Sequence, residues 1–100
     1  MAKKTSKTSS YDSAEYLNSK RAINAYMEEA LETRDPAFIA VALGTIARAR
    51  GMTQIAKKAG LSRESLYKAL STGGNPEFGT VMRVMDALNL KFSITATQAH

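Results

Sequence analysis

Residues 52–70 read MTQIAKKAGLSRESLYKAL, and their polar side chains offer no catalysis but hydrogen bonding and charge pairing, which a nucleic-acid duplex, a protein partner or plain solvent could each take up. Arg63 can offer a forked pair of donors to guanine N7 and O6, and Lys68, five residues on, can reach a base edge or the flanking phosphate. Glu64 can accept from cytosine N4 or repel wrong registers. Ser62, Ser65 and Tyr67 carry hydroxyls for phosphate or base. Gln54 and the amides opening the first helix beside Thr53 can hold the backbone, with Lys57 and Lys58 adding charge nearby.

Catalytic constellations are scarce by comparison. The single histidine is His100 at the end of the chain, there is no cysteine, and no serine has an obvious base. STGGNP lacks the lysine and spacing of a phosphate loop, so Gly73 and Gly74 read as turn formers. Glu28, Glu29 and Glu32 read as a solvated helix face rather than a cation site, and Met27, Met82 and Met85 as adaptable core. The expectation is a protein that is not an enzyme and needs no metal or other cofactor.

The elements that must position the polar set follow from period and caps. Thr53 is expected to cap a short helix in which Ile55 and Ala59 point inward and Ala56 is small. Gly60 permits an abrupt turn that Leu61 plugs, Ser62 caps the next helix, and Leu66, Ala69 and Leu70 face the core. That spacing predicts a helix-turn-helix, whose second helix is the one that enters a major groove. Before it, residues 19–34 predict an amphipathic helix capped by Ser19 or Asn18, with Ile23, Tyr26, Met27, Ala30 and Leu31 on one face. A further helix is opened by Asp35 and Pro36 and stopped by Gly51, with Phe38, Ile39, Ala42, Leu43 and Ile46 as its buried stripe. Gly44 inside it predicts close approach of a neighbour. After the Gly-Gly turn, Asn75 and Pro76 should open a helix striped by Val81, Val84, Met85 and Leu88. The period then changes to two at LKFSIT, which predicts a short strand with Leu90, Phe92 and Ile94 on one side and, having no partner in the chain, pairing between two copies.

The formal charge of +5 is unevenly spread: residues 1–10 carry +3, residues 11–35 carry −3, residues 36–74 carry +5 and the remainder is neutral. A positive block centred on the motif is the footprint of a phosphate-binding face. With 100 residues, no long apolar run and no secretory or lipidation signature, the chain is expected to be a single domain in the cytoplasm without a membrane association. The expected layout is a disordered basic arm over 1–10 and an N-terminal helical extension over 11–34, in which Asp12 and Glu15 form a capping pattern. The helix-turn-helix domain spans 35–90, and a short strand and tail 91–100.

From about Ile39 to Leu90 the chain resembles the lambda-repressor-like (Cro/XRE-type) DNA-binding domains, which pack about five helices around this motif. Over a longer span, the runs AEYL, AYMEEAL, DPAFIAVALGTIARARGMTQ, GLSRESLYKAL and GNPEFGTV resemble the HigA-type addiction-module antidotes. The resemblance implies an all-α lambda-repressor-like bundle with an N-terminal helical extension and, from the period above, a short C-terminal β-strand. It further implies an antitoxin that binds double-stranded DNA at its own promoter as a homodimer and neutralises a small basic toxin of the RelE/ParE type. Recognition-helix positions then fall on Ser62, Arg63, Glu64, Tyr67 and Lys68, and the phosphate-contacting glutamine on Gln54; nothing in the composition identifies a toxin surface, for which the acidic segment from Asp12 to Asp35 is a candidate beside its equal reading as a solvated helix face. Two other readings stand beside it: a prophage-type repressor without a toxin, and a protein-interaction module that does not bind DNA.

Overall fold

A computed structural model describes residues 19–98; the expected basic arm, the Asp12–Glu15 capping pattern and His100 lie outside them. Within that span the protein is all-helical, with α1 at Lys20–Glu32, α2 at Pro36–Arg50, α3 at Met52–Ala59, α4 at Arg63–Ala69 and α5 at Phe78–Ala87. Three starts follow local capping chemistry. Ser19 Oγ accepts from the Ala22 N–H at 3.1 Å, Asp35 Oδ1 from Ala37 at 3.0 Å, and Ser62 Oγ from Ser65 at 3.0 Å. Pro36, which has no N–H to leave unpaired, occupies the first turn of α2.

Two starts differ from expectation. Thr53 is not the cap of α3: Gly51, at φ 112°, has already turned the chain, and α3 begins two residues earlier than a Thr53 cap would have it, with Met52 buried at its first position. Nor do Asn75 and Pro76 open α5, which begins at Phe78 after Glu77, without a side-chain cap. The chain leaving α4 runs hard against its end, since a Cβ on Gly74 would collide with the Ala69 carbonyl.

The core draws on all five helices, and Leu43, Ile46, Leu66, Leu70 and Val84 are its fully buried large side chains. α2 runs through the middle, packed on α1, α3 and α5, while α3 packs on α4 and α5. Close packing is built from alanines at 22, 30, 40, 42, 47, 56, 59 and 87, and from Gly44, where a Cβ would lie 2.6 Å from the Leu70 carbonyl oxygen. The approach inferred for Gly44 is therefore to the end of α4.

Three side chains expected inside are exposed: Phe38, Leu31 and Met82. For Phe38 the cause is that α2 is apolar on almost every side, so its period does not select a face, and the surface it buries runs through Ala40, Leu43, Gly44 and Ala47. The expected C-terminal strand does not form within one chain: residues 90–98 are irregular, because no neighbouring strand supplies a ladder. Phe92 stacks on Phe78 with centroids 6.1 Å apart, and Ile94 is 94% exposed.

Candidate functional site

α3 ends where Gly60 adopts the left-handed conformation, φ 74° and ψ 32°, which a side chain would strain. Its N–H donates to the Lys57 carbonyl at 3.1 Å and the Leu61 N–H to that of Ala56 at 2.9 Å, closing the helix and turning the chain within two residues. Leu61 packs half-buried against the core, and Ser62 restarts the chain as α4. α4 is anchored from below by Leu66 and, just past its end, by Leu70, both essentially inaccessible.

With those two leucines inward and Ala69 half-buried beside them, the polar positions of α4 face out. Ser62, Arg63, Glu64, Ser65, Tyr67 and Lys68 are all exposed, Tyr67 by 54%, and so are Thr53, Gln54 and Lys57 on α3. All nine candidate residues therefore lie on the surface of one packed helix pair. Ser62 already accepts a hydrogen bond from its own helix, so its Oγ keeps its proton to donate outward. The face of α4 offers solvent a guanidinium fork, an ammonium, three hydroxyls and one carboxylate. No side-chain cap covers the start of α3, which leaves its first amides pointing outward at the positive end of the helix dipole.

Other cations gather at a place that sequence spacing does not reveal. A hollow of about 90 Å³ is lined by Arg50, Gln54, Lys58 and Asn89 among others, and it shares Arg50 and Asn89 with a larger one of about 380 Å³, where Lys20, Asn24, Lys91 and Ser93 also meet. Neither hollow is lined by a carboxylate. Lys20 and Lys91 are 71 residues apart, and what brings the second toward the first is the end of α5. Asn89 takes φ 61° while the Leu90 N–H donates to Met85 at 2.8 Å, reversing the chain. The carboxylates Glu28, Glu29 and Glu32 are exposed on α1 and border a shallow depression with Tyr26, and Glu28 also lines an adjoining apolar groove in which Asn24, Lys91 and Ser93 take part.

Among the described residues no group of three or more His, Cys, Asp or Glu is placed to hold a metal ion, and no helix is long and apolar enough to cross a membrane.

Comparison with known proteins adds an independent line. Residues 7–96 match the model of a family described as "Probable addiction module antidote protein". A relative from Haemophilus influenzae, described as an uncharacterized protein, is 53% identical over 90 residues, which cover 90% of this chain and 93% of the relative. No solved structure matches the chain.

Proposed function

The chain belongs to this family of addiction-module antidotes, and we propose that it is an antitoxin of the HigA type that acts through DNA. In this reading α3, the Gly60 turn and α4 form a lambda-repressor-like helix-turn-helix, and α4 enters the major groove of the chain's own promoter. Arg63 reads guanine, Lys68 a base edge or a flanking phosphate, and Glu64 excludes wrong registers. Ser62, Ser65 and Tyr67 bond phosphate or base, while Thr53, Gln54 and Lys57 hold the backbone beside the uncapped start of α3.

The observation that carries the reading is that α4 turns Leu66 into the core and leaves Arg63, Glu64, Ser65, Tyr67 and Lys68 exposed. The segment that contains α4, residues 36–74, carries a net +5, the charge balance a phosphate-binding partner favours. The antitoxin role implies a toxin partner. We assign to it the RelE/ParE type and a basic surface that meets the exposed carboxylates of α1. A homodimer, formed where Phe78, Phe92 and Ile94 stand exposed, supplies the second recognition helix that a two-fold operator demands.

Binding of the whole protein to its own promoter and to a random duplex, titrated with salt, tests this. Specific recognition keeps a ratio of roughly 10³ or more at physiological salt, with both affinities falling steeply as salt rises. Equal affinities for the two duplexes would refute it.

A further inference from the structure

We propose that the hollow between Lys20, Arg50 and Lys91 seats nucleic-acid backbone phosphates flanking the bases read by α4, an extension that rests on the DNA-binding reading above. Three segments remote in sequence build it: the first residue of α1, the last of α2, and the chain just beyond α5. Every ionisable group in its lining is cationic, and Asn24, Asn89 and Ser93 supply neutral hydrogen-bonding groups. It shares Arg50 and Asn89 with the smaller hollow of Gln54 and Lys58, which borders the helix that carries Thr53 and Gln54.

Folding alone gives no reason for this arrangement. Lys20 and Arg21 open α1 with no acid in its first turn, at the end where the helix dipole is positive and a cation is disfavoured. Gathering Arg50 and Lys91 around the same hollow adds like-charge repulsion; Glu28 shares the adjoining groove with Lys91, but no carboxylate lines the hollow beside Lys20 and Arg50. An anion relieves both costs. A single small anion would need its cations converged at one point, whereas these line a space of about 380 Å³, which suits a chain of charges repeating at roughly 3.4 Å per strand.

The test compares the salt dependence of duplex binding for the wild type, the single variant Lys91→Ala and the triple variant Lys20→Ala, Arg50→Ala, Lys91→Ala. Lys91 lies outside every helix, so its removal leaves the helical scaffold intact even if the triple variant is destabilised. Removing one phosphate-binding cation should flatten the slope of log affinity against log salt by about 0.9, and a bound homodimer carries each substitution twice, so the slope falls by about two units in the single variant and by about four to five in the triple. Promoter and random duplex should weaken alike, by about tenfold or more for the triple variant, with their ratio kept. Arg83→Ala, which removes an exposed cation of α5 that lines neither hollow, should leave the slope unchanged. Unchanged slopes in both hollow variants, beside a wild type that binds its promoter, would overturn this seat alone. An equal flattening by Arg83→Ala would replace it with a general charge effect, and a wild type that binds no duplex would overturn it together with the reading it rests on.

Discussion

Gly44 sets how closely α2 approaches the end of α4, and through that packing it helps fix the tilt of the proposed recognition helix. Alanine there would gain about 1 kcal/mol of helix propensity, but its Cβ would sit 2.6 Å from the Leu70 carbonyl oxygen and 3.1 Å from the Leu70 Cβ. The backbone oxygen cannot rotate away, so the clash wins. Gly44→Ala is expected to lower stability by about 1–3 kcal/mol in a thermal or denaturant melt. The capping residues carry smaller stakes of the same local kind. Ser62→Ala removes the acceptor of the Ser65 N–H and should cost about 1 kcal/mol in the same melt. These single-residue signals were readable in the sequence because they act over two to four positions: Ser19, Asp35, Gly60 and Ser62 do what their types imply. Thr53 and Asn75 do not, because the start of each helix was decided by something beyond that range, the burial of Met52 in one case and the crowding of Gly74 against α4 in the other.

α4 has seven residues, too few to hold a helical form unaided, so its orientation is a property of its anchors. Leu66 is its one buried side chain and sits in the shared core with Leu43, Ile46 and Val84. Leu66→Ala should cost about 2–5 kcal/mol, and binding to the promoter should fall with it even though no exposed side chain has changed; calorimetry and a duplex titration on one sample check both. All five helices could be anticipated from the 3.6-residue period, and the outward face of α4 with them. The face of α2 could not, since a helix apolar on nearly all sides is directed by its neighbours. Alternation at Leu90, Phe92 and Ile94 reported a real two-residue period, but a strand exists only as part of a ladder, and a single chain has none to offer. The hollow around Arg50 was equally hidden, because its cations come from segments that only the fold brings together.

At the scale of the molecule, charge and apolar exposure divide the surface. The positive block follows α3 and α4, the carboxylates Glu28, Glu29 and Glu32 lie on α1, and Phe78, Phe92 and Ile94 stand exposed near the C-terminal end. If that last group is where two copies meet, Ile94→Asp should give a monomer in sedimentation equilibrium with its helix content unchanged, because Ile94 touches little within its own chain at 94% exposure. An unaltered mass would place the dimer interface elsewhere. The central claim is that the exposed side chains of α4 read a duplex, and Arg63→Ala tests it most directly, in a promoter titration run beside a random duplex at physiological salt. Promoter affinity should weaken by about 1–3 kcal/mol, with the preference relaxed at one base pair and the melting temperature unchanged. An Arg63→Ala protein that binds its promoter as tightly and as selectively as the wild type would contradict it.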